Sequence, residues 1–268
     1  MNYKMLVLDL DDTLLRDDHC ISERNKDALM KAQEKGVYVV LASGRPTPAM
    51  LQYAEELDLK KNGSYIISYN GAIITDLNKQ IPIFEQTLSK EQIHGLYDFS
   101  LANNVDIITY TADSIISETT SKYIDVEVQL TQMKFNKVDC FKAAVTEPAV
   151  KCILLQDPDY LKTVETKLKQ EKPNKSVSIS KPFFLEVMPK GIDKATSIAR
   201  LAEKLGIRQE EIIAVGNAGN DLAMVEYAGL GVWVDNVPPE LRGCADVIVA
   251  SNNNHGVAEV VEKYILAN

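Results

Sequence analysis

Short apolar runs alternate with amphipathic stretches along the first third of the chain. Residues 3–9 form a near-continuous apolar run that ends in an aspartate, which is typical of a strand buried on both faces of a parallel sheet. A helix is predicted next, with Ser22 as its N-cap and Gly36 at its C-terminal end. The pattern then predicts strand 37–41, a helix opened by Thr47 and Pro48, and strand 65–69. This order is that of a doubly wound α/β sheet.

The alternation stops after residue 74, where a turn-rich stretch leads into 81–84, the return arm of a predicted hairpin. The next block mixes a helix at 89–102, a β-rich stretch at 105–132, strand 152–155, a helix begun by Asp157 and Pro158, and strand-like 176–187. From residue 191 the alternation resumes with helix 193–205, strand 212–215, helix 221–227, strands 230–234 and 247–249, and a terminal helix. We therefore expect a discontinuous α/β core of residues 1–84 and 187–268 and an inserted α+β domain of residues 85–186.

Length and composition are those of an ordinary globular protein. The chain has 268 residues, of which 46% are hydrophobic and 25% charged, and its formal net charge is −9. An acidic balance disfavours binding to nucleic acid or to anionic membranes. No apolar run approaches the length of a membrane span, and the first one meets aspartates at once, so it does not resemble a secretory signal. We expect a cytoplasmic protein.

Cysteine and histidine offer no metal or disulfide framework. The four cysteines are scattered without C-x-x-C spacing, and the chain has only three histidines. Candidate chemistry lies instead where the predicted strands end, because ligands of doubly wound sheets bind beyond the carboxyl ends of the strands. Four such places stand out: Asp9-Leu10-Asp11-Asp12-Thr13, Ser43-Gly44-Arg45, the region around Lys194, and Gly216 to Asp221.

Asp9 and Asp11 are the first candidates. Side chains two residues apart on an extended segment point to the same side, so the two carboxylates can converge on one small site. Their mutual repulsion is relieved when a divalent cation or a basic side chain lies beside them, and Mg²⁺ prefers such oxygen ligands. The alternative is that both aspartates only terminate the strand and cap a turn. The other three segments favour the first interpretation.

The four segments together resemble the four motifs of the haloacid dehalogenase (HAD) superfamily, and their order, spacing and large insertion resemble the Cof-type phosphatases with a C2-type cap. The resemblance spans nearly the whole chain. It implies a Rossmann-like core and a cap, residues 85–186, that carries substrate specificity and closes through hinges near 83–86 and 186–190.

The resemblance also implies a role for each matched residue. Asp9 would attack phosphorus to form an aspartyl-phosphate, and Asp11 would protonate the leaving alkoxide and later activate water. The implied phosphate-binding groups are the backbone at Leu10 and Gly44 and the side chains of Ser43, Lys194 and Asn220. The implied Mg²⁺ ligands are Asp9, Asp11, Asn217 and Asp221.

Two positions leave alternatives open. Asn217 stands where the family's fourth motif begins with an acidic residue, and an uncharged amide oxygen predicts weaker Mg²⁺ binding with retained geometry. Arg45 can bind a substrate anion or form a structural ion pair.

The sequence thus predicts a Mg²⁺-dependent phosphoric monoester hydrolase acting on a small phosphorylated metabolite, most simply a sugar phosphate. Two other functions are compatible with the same motifs. A phosphomutase of the same superfamily would return the phosphoryl group to a second sugar hydroxyl. A non-catalytic binding protein would retain the phosphate site but bind metal too weakly, because of Asn217, to turn over.

Overall fold

The chain forms two compact units. The computed structural model describes residues 3–111 and 113–267. Four residues that fall within the predicted segments, Met1, Asn2, Ala112 and Asn268, lie outside the described residues. One unit combines the residues up to Phe84 with those from Asp193 onward, and the other is Glu85–Ile192. The second boundary therefore lies after the predicted residue 186, because a strand of the inserted unit runs through that position.

Strands and helices alternate up to the strand Tyr65–Ser68, which is followed by two further strands. Ser22 caps the first helix by accepting a hydrogen bond from the Asn25 amide at 3.3 Å, and Gly36 follows the helix with a φ of 82° that suits glycine. Pro48 lies in the first turn of the second helix, where its missing N–H leaves no bond unmade. The elements are β1 (Met5–Leu8), α1 (Glu23–Glu34), β2 (Tyr38–Ala42), α2 (Pro48–Glu56), β3 (Tyr65–Ser68), β4 (Ile73–Asp76) and β5 (Ile81–Glu85).

The inserted unit differs from its sequence prediction in several elements: Phe141–Ala144 is a short helix that was not predicted, and the strand-like stretch 176–187 is divided between two antiparallel strands. Part of the stretch 105–132, predicted to be β-rich, is a helix capped by the Ser121 hydroxyl, which accepts from the Ile124 amide at 3.4 Å. β-branched residues at alternate positions suggested a strand, but the buried positions Ile124, Glu127 and Thr131 have helical spacing. The elements are α3 (Lys90–Ala102), β6 (Asp106–Tyr110), β7 (Ser114–Ser117), α4 (Lys122–Thr131), β8 (Lys134–Lys137), α5 (Phe141–Ala144), β9 (Cys152–Leu155), α6 (Pro158–Glu171), β10 (Lys175–Lys181) and β11 (Phe184–Pro189).

The last segment returns to alternating helices and strands. Its first helix has Asp193 as N-cap, whose carboxylate accepts from the Thr196 amide at 2.7 Å, and ends at Gly206 in the left-handed conformation. The elements are α7 (Lys194–Leu205), β12 (Ile212–Gly216), α8 (Leu222–Tyr227), β13 (Leu230–Val234), β14 (Val247–Val249) and α9 (Gly256–Val261).

The larger sheet has the strand order β14-β13-β12-β1-β2-β3-β4-β5. β1 is parallel to both of its neighbours, β12 and β2, while β3 and β4 pair antiparallel. The chain proceeds from β1 to one side of the sheet through β2 and β3, and later to the other side through β12, β13 and β14. The strand order therefore reverses between β1 and β12, the place where open α/β sheets bind ligands. The predicted doubly wound, mainly parallel core with an inserted α+β unit is confirmed.

This sheet is buried on both faces. Leu6 and Leu8 of β1 pack in one hydrophobic cluster, and the alternating residues Met5 and Val7 pack in another. Rigid packing on both faces fixes the strand ends, and with them the side chains that follow. Within residues 3–111 and 113–267, no helix is long and apolar enough to cross a membrane.

The smaller sheet, of order β10-β11-β9-β6-β7-β8, contains a buried polar cluster. Lys151 Nζ donates to Glu186 Oε1 at 2.9 Å, with the two side chains only 3% and 8% exposed. Glu127 lies within the same electrostatic environment and accepts from the hydroxyl of Tyr110. Burial raises the pKa of Glu127 despite the opposing charge of Lys151. One buried ammonium group therefore lies near two buried carboxyl groups.

Lys151→Met is expected to destabilise the inserted unit by about 3–5 kcal/mol, because Glu186 then lies buried without its cation. Trp233, the only tryptophan of the sequence, lies in the other unit, so urea unfolding can be followed separately by its fluorescence and by circular dichroism. The expected result is an earlier dichroism transition with a smaller shift of the fluorescence transition. The control is Lys162→Met, at a side chain 67% exposed. An equal effect of the two variants would contradict the prediction.

Candidate active site

The predicted site residues lie at the carboxyl ends of three neighbouring strands and at the start of one helix. Asp9 follows β1, Ser43 follows β2, Asn217 follows β12, and Lys194 is the first residue of α7. The backbone amide of Asp9 donates to the Val215 carbonyl at 3.0 Å, which continues the β1–β12 pairing into the site. The sheet thus brings the first and fourth motifs together at the point where the strand order reverses.

Lys194 connects these segments. Its Nζ donates to Asp9 Oδ1 and to Asp221 Oδ1, each at 2.6 Å, and its side chain is fully buried. Burial alone would lower the pKa of Lys194, but the two carboxylates raise it above its ordinary value, so the amine carries a positive charge. Lys194 is therefore a buried, ion-paired residue and not the solvent-exposed lysine that this residue type alone would suggest.

Asp221 contacts both Lys194 and the backbone of the loop after β12. Its second oxygen, Oδ2, accepts from the amides of Asn217 and Ala218 at 3.0 and 3.1 Å. The side chain packs directly against Gly216, where an added Cβ would come within 2.5 Å of Asp221 Cβ. Asp221 therefore fixes the backbone of the motif and sets where the Asn217 side chain begins.

Asp9 lies in a negative environment. Lys194 contributes one positive charge against the two negative charges of Asp9 and Asp221, which leaves one net negative charge. Burial and the charge of Asp221 raise the pKa of Asp9 to about 7, although Lys194 opposes the shift. A cation beside Asp9 would reverse this effect by stabilising the carboxylate.

The Thr13 hydroxyl links the first and fourth motifs. Thr13 Oγ1 lies 3.1 Å from Asp9 Oδ2 and 3.1 Å from Asn217 Oδ1. A hydroxyl has one hydrogen and donates to one of these oxygens at a time. One carboxylate oxygen and one amide oxygen thus face the same small group, the donor set that a hard cation with retained waters accepts.

Asp11 is held by Arg45. The guanidinium donates from Nε to Asp11 Oδ2 at 2.9 Å and from Nη2 to Asp11 Oδ1 at 2.6 Å. Of the two interpretations of Arg45, the ion pair is the one found. Asp11 still adds to the negative field that raises the pKa of Asp9, so its charge lies near the nucleophile position.

Ser43, Gly44 and Asn220 meet around a residue that the sequence analysis did not identify, Asn70. Ser43 accepts the Asn70 amide on its carbonyl at 2.9 Å, and Asn220 Nδ2 lies 3.4 Å from Asn70 Oδ1. A Cβ added to Gly44 would lie 3.1 Å from the side-chain nitrogen of Asn70, Nδ2. Asn70 lies two residues after β3, so applying the strand-end rule to this strand as well would have found it.

The other predicted residues concern phosphate binding by Leu10 and metal binding by the acidic side chains. Leu10 packs its side chain in the core, so only its backbone can serve a ligand. Among the described residues, no three acidic, histidine or cysteine side chains gather as a metal cage. Asp11 and Asp221 engage both of their oxygens with Arg45, Lys194 and backbone amides, as described above.

Gly216→Ala is expected to destabilise the protein by about 1–3 kcal/mol, because the new methyl group overlaps the Asp221 side chain and must displace it. Thermal and urea unfolding measure the effect. Gly219→Ala is the control in the same loop, since no atom lies within 4 Å of the Cβ built there. Equal stability of the two variants would contradict the tight packing of Asp221.

Known proteins resemble the chain over almost its full length. The haloacid dehalogenase-like hydrolase family matches residues 6–261. The crystal structure of a haloacid dehalogenase-like hydrolase from Bacteroides thetaiotaomicron has a TM-score of 0.92 and 38% identity, covering 98% of this chain and 99% of that one. Two Bacillus subtilis proteins are similar over 99% of this chain: YxeH, provisionally named a phosphatase, is 33% identical over 99% of its length, and the 5-amino-6-(5-phospho-D-ribitylamino)uracil phosphatase YcsE is 30% identical over 97%.

These similarities confirm the resemblance seen in the four motifs and the expected enzyme class, a phosphoric monoester hydrolase. The chain belongs to the haloacid dehalogenase-like hydrolases, and within them to the Cof type.

Proposed function

We propose that this protein is a Mg²⁺-dependent phosphatase that hydrolyses a small phosphorylated metabolite through an aspartyl-phosphate on Asp9. The observation that carries the proposal is the buried Lys194 ammonium, 2.6 Å from Asp9 Oδ1. It supplies positive charge at the place where a phosphoryl group would be transferred, and the side chains of both Lys194 and Asp9 are buried.

The proposed reaction has two steps. An Asp9 oxygen attacks phosphorus, the bond from phosphorus to the ester oxygen breaks, and the leaving alkoxide takes a proton from Asp11 to become an alcohol. Water then attacks the same phosphorus, gives a proton to the Asp11 carboxylate and releases inorganic phosphate, which restores the Asp9 carboxylate. Each carboxyl group ends in the state in which it began.

The groups proposed to bind the phosphoryl oxygens follow β1, β2 and β12 or begin α7. Ser43 can donate its hydroxyl hydrogen while its oxygen accepts from the Arg45 amide at 3.2 Å. Lys194 contributes a compact charge, and the backbone N–H groups at Leu10 and Gly44 follow the first two strands. Asn220, whose side chain is near that of Asn70, is proposed to donate from the fourth motif.

The donor set fits one Mg²⁺ ion. Asp9 Oδ2 and Asn217 Oδ1 both face Thr13 Oγ1, and Mg²⁺ is commonly held by one or two protein oxygens with waters and substrate phosphate oxygens. The oxygens of Asp11 and Asp221 are engaged with Arg45, with Lys194 and with backbone amides, so Asp221 is proposed to act through its charge and positioning and Asp11 as the proton carrier. The ion would supply the positive charge that the net negative site lacks when it meets an anionic phosphate ester.

The substrate class is proposed from the relatives. YcsE, 30% identical to this chain, is named for a phosphate ester of a ribityl side chain. The proposal is therefore a primary phosphate monoester on a sugar or polyol, whose poor alkoxide leaving group requires the proton from Asp11.

Asp9→Asn is expected to lower kcat by about 10⁴-fold or more against a panel of sugar and polyol phosphates, because the amide cannot act as the nucleophile. Phosphate release is measured with Mg²⁺ and with EDTA. The control is Asp12→Asn, because Asp12 is exposed and has a φ of 57° that asparagine tolerates. Unchanged turnover in Asp9→Asn would contradict the nucleophile assignment, and isomerised sugar phosphate instead of free phosphate would identify a phosphomutase.

Asn217→Asp is expected to lower the Mg²⁺ concentration for half-maximal activity by about tenfold or more, because a charged oxygen replaces an amide oxygen beside Asp9. Asn254→Asp is the control, since it adds the same charge on an exposed side chain of the same unit that has no proposed role in the site. Equal shifts in both variants would contradict a ligand role for Asn217. Phosphate binding by calorimetry without turnover at saturating Mg²⁺ would favour the binding-protein function.

A further inference from the structure

Arg45 makes a two-point contact with the proposed proton carrier. Nε and Nη2 each donate to a different oxygen of Asp11, at 2.9 and 2.6 Å. This is the side-on geometry in which a planar guanidinium restrains both the position and the rotation of a carboxylate. The side chain of Asp11 is 46% exposed, whereas that of Arg45 is 14% exposed, so the arginine is the more firmly packed of the two partners.

The arginine itself is fixed from its other side. Its guanidinium carbon lies 5.4 Å from the centre of the Tyr53 ring, and Nη1 is 3.4 Å from the Tyr53 hydroxyl. Tyr53 belongs to α2 and is buried. The Arg45 backbone is also tied down, since its amide donates to Ser43 Oγ at 3.2 Å and its carbonyl accepts from the Tyr69 amide at 3.0 Å.

The alternative role for Arg45 is to bind a substrate anion. A guanidinium group can contact a phosphate or carboxylate at two points through its Nε–Nη2 edge or through its Nη1–Nη2 edge; Asp11 occupies the first and takes Nη2 from the second. Nη1 faces Tyr53 instead. The contacts therefore direct the arginine towards the carboxyl group of the enzyme.

We propose that Arg45 is a positioning residue that orients the Asp11 carboxyl group for proton transfer to the leaving oxygen. The inference rests on the proposed function, in which Asp11 is the proton carrier. A carboxylate has about four acceptor positions, so two remain on Asp11 for the proton that it gives and takes while Arg45 holds the others. The bonds made and broken at phosphorus are those given above, and the arginine loses no proton.

Leaving-group dependence separates orientation of an acid from binding of a substrate. 4-Nitrophenolate departs from phosphorus as a weak base with little need of a proton, whereas phenolate and alkoxides need one. A residue that orients the acid affects kcat/KM most for the poor leaving groups. A residue that binds the substrate anion affects all esters alike and weakens inhibition by inorganic phosphate.

The test compares the full-length protein with Arg45→Lys, which keeps the charge and removes the two-point geometry. The expected loss of kcat/KM is about 10²-fold for phenyl phosphate and only a few-fold for 4-nitrophenyl phosphate, with the inhibition constant of inorganic phosphate unchanged. In an Asp11→Asn background, the same substitution is expected to have no further selective effect, because no acid remains to be oriented.

The matched control is Arg24→Lys, which breaks an equivalent two-point pair with Glu262, at 3.0 and 2.6 Å, on the surface of the same unit. If Arg45→Lys does not fold by circular dichroism, Arg45→Gln replaces it under the same comparison. Equal losses for both esters, or no loss, would overturn the proposal. Absence of Asp9-dependent hydrolysis in the wild type would overturn the proposed function as well, so the two failures are distinguishable.

Discussion

A buried ammonium group determines how the parts of this site are arranged. Lys194 lies between the carboxylates of Asp9 and Asp221 at 2.6 Å from each, and none of its side chain is exposed. A buried ammonium without partners is strongly destabilising, and two buried carboxylates without a cation repel each other. The first turn of α7 and the ends of β1 and β12 are therefore held in one mutual geometry, from which the position of Asp9 follows.

The inserted unit also contains a buried lysine near two carboxyl groups, but the contacts of those groups differ. Lys151 also lies near two carboxyl groups, those of Glu186 and Glu127, but it pairs directly with the first while the second accepts from a tyrosine hydroxyl. Buried ion pairs contribute little net stability compared with apolar packing of the same volume. Stability alone therefore does not explain the buried ion pairs of Lys194. We propose that their role is functional, because they place charge at the end of a strand, where the sheet binds ligands.

Local sequence patterns were enough to predict the strands of the core and the residues that follow them. Burial of a strand on both faces and the capping of a helix both depend on residues that are close together in the sequence. It failed at α4, where alternating β-branched residues suggested a strand although Ser121 and the buried positions favour a helix. The pairing of Asp11 with Arg45 spans 34 positions and depends on how β1 and β2 lie side by side, which no local pattern contains. Asn70 was missed because the end of β3 was not among the four segments considered.

The most direct measurement is mass spectrometry of the peptide that contains Asp9, from enzyme quenched in acid during turnover of 4-nitrophenyl phosphate with Mg²⁺. The account predicts a phosphoryl group on the Asp9 side chain that disappears when the quench is delayed until the ester is exhausted. Turnover with an unmodified Asp9, or with the phosphoryl group on another residue, would contradict it.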